Sequence, residues 1–275
     1  MPRPPADPAV RLAEFLGDGH RPGSLLVVTG AGISLASGIP TFRGTDPEAV
    51  WSRDVTRLGT FGYFEEDPVG SWRWYLSRFD SVLSAKPNPA HDALVALERG
   101  LAARRERFLL ATQNVDTLHE RAGSERLAKV HGSADRVRCS RDGCELGAPA
   151  GSLPRDAFDS RRFLEDPRPE TLPRCPACGA VLRQHVLWFD EVYQSHDDYR
   201  YAEVVHAARA ADRVLFVGTS FSVGITDMVL CSALARRAPV LAIDPGDAPL
   251  PPGVERLRAK AEEVLPVACR AVGAA

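Results

Sequence analysis

Two periodicities alternate along this chain. Short uninterrupted apolar runs at Leu25–Val28, Phe108–Ala111, Val214–Val217 and Val240–Ile243 read as strands buried on both faces, and Leu127–Val130, broken by Lys129, as a further short strand. Between them, apolar residues recur at helical spacing. Residues 8–17 predict a short amphipathic helix with Val10, Leu12, Phe15 and Leu16 as its apolar set. Pro87-Asn88-Pro89 then supplies start signals for a helix that continues through Leu94, Leu97 and Leu101. Further helices are expected near 116–122, 199–210 and 227–237, the last strand at 240–243 completing the fold. Strands alternating with helices predict an α/β protein with a parallel sheet covered on both faces. Two stretches depart from this rhythm. Residues 44–86 hold no clean strand but carry Trp51, Phe61, Tyr63, Phe64, Trp72, Trp74 and Tyr75, which predicts a partly helical insertion over a pocket. Residues 134–180 turn to cysteine, glycine, proline and charge, and Val181–Phe189 is extended again.

Composition narrows the class. With 275 residues, 44% apolar and 25% charged, the chain has the makeup of a soluble globular protein of one large domain, or one large and one small. A net charge of −2 gives no general electrostatic case for nucleic acid or membrane partners. The N-terminal Arg3 is followed by prolines and Asp7 instead of an apolar core, and no apolar run approaches the ~18 residues of a membrane span. The expected location is therefore cytoplasmic.

In that setting clustered cysteines point to metal before disulfide. Cys139 and Cys144 are separated by four residues and Cys175 and Cys178 by two, with Pro176 and Gly179 favouring a tight turn at the second pair. Two thiolate pairs predict a closed tetrahedral zinc site with no open position for chemistry. Cys231 and Cys269 lie outside it and read as small buried residues.

The other candidate chemistry gathers at strand ends, where open α/β sheets bind ligands. The first strand runs into Thr29-Gly30-Ala31-Gly32-Ile33-Ser34, a turn suited to bringing backbone N–H groups to a phosphate, and Arg43 adds a fixed positive fork. The pattern departs from Gly-x-Gly-x-x-Gly because Leu35 occupies the last position. Gln113, Asn114 and Asp116 follow the second strand, His131 the third, and Gly218-Thr219-Ser220 a later one. A histidine near neutral pKa is a natural general base.

Taken together these segments resemble the sirtuins, the NAD-dependent protein deacylases. The resemblance rests on Gly30–Ser34, Gly38-Ile39-Pro40-Thr41-Phe42-Arg43, Thr112–His119, His131-Gly132-Ser133, both cysteine pairs, His185–Phe189 and Gly218-Thr219-Ser220, in the family's order over about 24–270. It implies a Rossmann-like NAD-binding domain (1–43, 87–133 and 181–275), a cofactor- and acyl-pocket insertion (44–86) and a zinc-ribbon module (134–180). Gly30, Ala31, Gly32, Ser34, Thr41, Arg43, Gly218, Thr219 and Ser220 would hold the cofactor. Phe42, Asn114 and Asp116 would line the nicotinamide pocket, Gln113 would meet its ribose, and Asn114 and His131 would be catalytic, His131 as general base. The implied products are nicotinamide, free lysine and O-acyl-ADP-ribose. Val186, Leu187, Trp188 and Phe189 would offer backbone for β-augmentation by an acyl-lysine protein substrate.

Tyr75 and Arg78 lie three apart, on one helix face, and resemble the Tyr-x-x-Arg of sirtuins that remove succinyl, malonyl and glutaryl groups. Leu58-Gly59-Thr60 aligns with that class's Leu-Ala-Thr, so Gly59 is expected to widen the acyl pocket, and Thr41 stands where many deacetylases carry Asp. Plain deacetylation, an NAD glycohydrolase or ADP-ribosyltransferase, and a non-enzymatic NAD-responsive protein are the competing readings. Asp244 stands where the family usually has Asn, within reach of adenosine ribose hydroxyls but repelled by phosphates, and Asp190 replaces a usual Gly.

Overall fold

The structure, a computed structural model, describes residues 7–17, 23–40, 55–158 and 160–274. Strand β1 (Ser24–Thr29) is buried along its whole length because both of its faces are covered. Leu25 and Val27 face one layer and Leu26 and Val28 the other, as the two-residue period of a strand requires. The first layer holds α1 (Pro8–Gly17), α5 (Pro89–Ala103) and α10 (Ala261–Ala271), and the second holds α8 (Tyr201–Ala210) and α9 (Gly224–Ala235). Between β1 and α5 run α2 (Val55–Leu58), α3 (Phe61–Glu66) and α4 (Pro68–Ser84), the partly helical insertion expected of the aromatic-rich stretch.

The sheet continues with β2 (Arg107–Thr112), β3 (Leu127–Lys129), β7 (Arg213–Val217), β8 (Val240–Ile243) and β9 (Glu255–Leu257), with α6 (Leu118–Ala122) after β2. Its order is β3-β2-β1-β7-β8-β9 and every neighbouring pair is parallel. The chain leaves β1 toward one edge and returns through β7 toward the other. This is the Rossmann-like doubly wound arrangement, and the crevice for a ligand opens between the C-terminal ends of β1 and β7.

A second sheet of order β5-β4-β6 is built from β4 (Gly132–Cys139), β5 (Leu153–Pro154) and β6 (Leu182–Val186), with α7 (Arg161–Glu165) between the last two. Helix α4 packs on it. Trp72, Tyr75, Leu76 and Phe79 share one core with Val137, Cys139, Leu182 and Val186, and the Trp72 indole N–H donates to the Leu182 carbonyl at 2.7 Å. The helical insertion and the cysteine module therefore stand on a common core.

Three expectations need correction. Val10 is 55% exposed, because it lies about 200° around α1 from Leu12, while Leu12, Phe15 and Leu16 form the buried stripe. Cys231 is exposed, although Cys269 is buried. The chain is not complete at β8: β9 and α10 follow, hidden from the pattern by the brevity of β9 and by Pro266 inside α10. No helix among the described residues is long and apolar enough to cross a membrane.

Candidate active site

The turn after β1 and the turn after β7 meet at the crevice. A Cβ on Gly32 would stand 2.6 Å from the Gly218 Cα, and Gly218 itself sits at φ +60. Only glycine permits this approach. The Gly30 and Gly32 amides are used up by it, donating to the Val217 and Gly218 carbonyls at 3.0 and 2.9 Å. The close approach expected of these glycines thus serves to join the two turns. The Ala31, Thr219 and Ser220 amides have no acceptor among the described residues, and these are the donors the crevice offers. Thr41, Phe42 and Arg43 lie outside the described residues.

Beneath the turns runs a buried polar chain. Thr29 Oγ1 donates to Thr112 Oγ1 (2.8 Å), which accepts the Asn114 amide (3.1 Å). The Asn114 side-chain amide donates to the Gly30 carbonyl (3.1 Å) and to Ser34 Oγ (3.0 Å). Ser34 donates to Asp116 (2.9 Å), whose other oxygen caps α6 at the Leu118 amide (3.0 Å). Asn114 and Asp116 are both buried. Gln113 reaches across the crevice to Thr219 Oγ1 (3.2 Å). The strand ends after β1, β2 and β7 are thereby locked in one geometry, and Asn114 is fixed from three directions.

His131 follows β3 at the mouth of this crevice. Its Nδ1 lies 2.8 Å from the Gln113 carbonyl, an acceptor only, so Nδ1 carries the proton and Nε2 presents a lone pair. Burial pushes its pKa down to about 4, opposed by the Gln113 carbonyl, which leaves a neutral ring at pH 7. Gly132 makes the next turn at φ +80, where a side chain would collide with the His185 carbonyl. One contact had no signal in the sequence: Tyr193, the first residue of a short 3-10 turn, stands 3.4 Å from His131 Nε2 through its hydroxyl.

Asp244 ends β8 with Oδ1 on the Gly246 amide (2.9 Å) and Oδ2 beside Arg256 (3.4 Å). The arginine offsets the charge that was expected to repel phosphates. Ser220 Oγ is paired with Ser222 Oγ.

The Val186–Phe189 stretch differs from expectation. The Leu187, Trp188 and Phe189 amides donate to the His131 carbonyl (2.9 Å), Glu191 (2.9 Å) and the Gly59 carbonyl (3.0 Å). The stretch has no row of free donors for an added strand. The Leu187 carbonyl has no donor among the described residues. The pairing with Gly59 also draws the Phe189 ring to 3.0 Å from where a Gly59 Cβ would stand. Gly59 makes room for the Phe189 ring.

Trp188 is buried against Phe64 (5.4 Å), Tyr75 (6.2 Å, parallel) and the Arg183 guanidinium (3.3 Å). Arg183 and Arg138 both pair with Glu191, whose pKa lies below the usual range because the arginines outweigh its burial. No motif or spacing in the chain announces this network. Tyr75 is buried, and burial raises its phenol well above its ordinary pKa. Arg78 is half-buried with its guanidinium on the Trp74 ring (4.3 Å) and one nitrogen on the Trp74 carbonyl (3.2 Å). It pairs with no carboxylate among the described residues.

The four cysteines converge. Cys139 and Cys178 sulfurs are 3.4 Å apart, Cys144 and Cys175 3.7 Å, and all four lie within 4.8 Å of one another. Zinc–sulfur bonds of about 2.3 Å place tetrahedral sulfurs roughly 3.8 Å apart, so the set fits a structural zinc ion. The Ala180 amide holds the Cys178 thiol down to about 7, on the way to the thiolate a metal needs. His185, His196 and Asp198 also cluster. Both His196 nitrogens are committed, however: Nε2 donates to the Gly151 carbonyl (3.0 Å) and Nδ1 accepts the Asp198 amide (3.1 Å).

A doubly wound sheet with its ligand crevice at the β1/β7 switch point, a neutral histidine at the mouth and a four-cysteine module defines the class: a dinucleotide-binding α/β protein with a structural metal site. Comparison with known proteins agrees. Residues 30–224 match the Sir2 family model, and the chain belongs to the Sir2 family. An NAD-dependent protein deacylase of Thermus thermophilus is 39% identical over 227 residues, 82% of this chain and 81% of that protein. NAD-dependent protein deacylase 1 of Pseudomonas aeruginosa is 39% identical, with 85% and 86% covered. A crystal structure of a Sir2 homologue in complex with NAD superposes with a TM-score of 0.77 at 34% identity, covering 96% of this chain and 93% of the other.

Proposed function

We propose that this chain is an NAD-dependent protein-lysine deacylase that accepts acidic acyl groups, succinyl and glutaryl among them. The observation that carries the reaction is His131: a neutral ring, its Nδ1–H anchored on Gln113, its Nε2 lone pair facing the crevice. The family's relatives, named as NAD-dependent deacylases, support the same reading. NAD held at the switch point would supply the ribose carbon that takes the acyl oxygen as nicotinamide leaves. The Ala31, Thr219 and Ser220 amides bind its phosphates, and Arg256 keeps the Asp244 carboxylate compatible with them. Asn114 and Asp116 orient the nicotinamide end, and His131 Nε2 takes a ribose hydroxyl proton.

The acyl preference rests on Arg78. A half-buried guanidinium with no carboxylate partner among the described residues is suited to one brought by substrate, and the neutral Tyr75 hydroxyl is a donor on the same helix face. The test is nicotinamide release with acetyl, succinyl and glutaryl peptides, run beside Arg78→Met. Release should require peptide and favour the acidic acyl groups. Arg78→Met should cost roughly 10- to 100-fold on those and little on acetyl. Release without peptide would sink the deacylase reading in favour of a glycohydrolase. An acetyl preference kept by the mutant would reduce the pair to structural residues.

A further inference from the structure

Beyond the crevice residues lies a column of three rings. Tyr193 stacks on Tyr201 of α8 (4.9 Å, 10° between planes) and on His131 (5.8 Å, 21°). Its hydroxyl reaches His131 Nε2 at 3.4 Å. Nε2 is the nitrogen left with a lone pair once Nδ1–H is given to Gln113, so the hydroxyl can only donate to it. The other end of the phenol is held too. Tyr193 packs with Phe221 and Val223 against the second helical layer, and a Cβ on Gly224, the first residue of α9, would stand 3.9 Å from its ring. The Ile225 amide in the first turn of α9 acts on the phenol and opposes the rise that burial causes. Helix α9 begins at Val223 without a side-chain cap, so its positive end adds to the polarisation of the hydroxyl toward donation.

We propose that Tyr193 is a positioning residue for His131: its hydroxyl donates to Nε2 and, opposite the Gln113 carbonyl on Nδ1, fixes the ring's tautomer and aim until a substrate hydroxyl takes its place. A histidine held at one nitrogen only can swing about that bond. Held at both and stacked on a ring, it cannot. The proposal rests on His131 being the base of the deacylase.

Tyr193→Phe tests it, because phenylalanine keeps the stack with Tyr201 and removes only the hydroxyl. The titratable groups facing Tyr193 are Tyr201 of α8 and Asp227 of α9, and both stay in place. A donor on Nε2 favours the neutral ring, so its loss should raise the His131 titration midpoint, by about half to one pH unit. Ring nitrogen NMR shifts of His131 should show this directly, with the Nε2 signal moving and a second tautomer appearing. In steady state kcat should fall about 3- to 10-fold with KM for NAD unchanged. Unaltered His131 signals together with unaltered kcat in Tyr193→Phe would overturn the proposal while leaving the deacylase reading intact. If wild-type protein releases no nicotinamide with any acyl peptide, the deacylase reading fails, and with it the claim that Tyr193 serves catalysis.

Discussion

His131 is built to be uncharged, and that choice has a measurable consequence. Its pKa and that of His185 are both pushed down to about 4 by burial, from 6.5. In the unfolded chain the same rings take up protons near pH 6.5. Between those values the unfolded state binds more protons, so stability is fully present above about pH 6.5 and is lost as pH falls toward 4. The loss should be on the order of 1–3 kcal/mol, read as a lower urea midpoint at pH 5 than at pH 7.5 with an unchanged slope. An equal midpoint would mean that these rings are solvated. Asn114 gives a second residue-scale outcome. Its amide bridges the Gly30 carbonyl and Ser34 Oγ inside the core, so Asn114→Ala removes one buried donor from each, leaving Gly30 with the Ile33 amide and Ser34 with Asp116. We expect a cost of about 1–3 kcal/mol alongside the loss of turnover, checked by denaturation and nicotinamide release. The residues that carry motifs were legible in the sequence because chemistry restricts which side chains can stand at strand ends. Tyr193 was not, because a tyrosine in a loop gains its meaning only from what lies across from it.

At the scale of elements, the departure at Asp190 has a structural use. Its two carboxylate oxygens accept the Phe61 and Gly62 amides (2.8 and 3.1 Å), while Thr60 caps the same turn at Tyr63. Helix α3 is six residues long and would fray alone; two capping side chains hold it, and it carries the Phe61 and Phe64 rings that wall Trp188. Asp190→Gly should therefore cost about 1 kcal/mol and raise hydrogen exchange at 61–66, with the metal content unchanged. Unchanged exchange there would show that the rings alone hold the helix. Long elements with clean periodicity, such as β1 and α5, could be read from the chain, as could the helical character of the aromatic insertion. The contacts that give its short helices their place could not: Asp190 is 129 residues from Phe61. The three-residue β9 and the proline-bearing α10 escaped for a local reason, since neither shows an uninterrupted pattern.

The whole molecule joins two sheets through the turn at His131, and this sets what the metal does. Strand β4 starts at Gly132, beside His131, and ends at Cys139, a predicted zinc ligand. Strand β6 leaves the module after Cys178, pairs with β4 from Leu182 to Val186, and delivers Trp188 to the rings of Phe61, Phe64 and Tyr75. Two struts of roughly 20 Å thus connect the cysteine cluster to the site. The module's core is also the core on which α4 presents Tyr75 and Arg78. The cysteine spacing announced a metal but not this coupling, because spacing says nothing of which core a module shares. A zinc ion that takes no part in the reaction should still govern it. Cys175→Ser should abolish the bound zinc, lower the melting temperature and strip hydrogen-exchange protection from β4, β6 and α4. Protection in β1, β2, β7 and β8 should persist, because those strands lie between helical layers whose cores are separate from the module's. Turnover should fall with the module even though His131 keeps its anchor on Gln113. Full turnover in a zinc-free variant would show that the two sheets are energetically separate and that β4 and β6 hold their register without the metal.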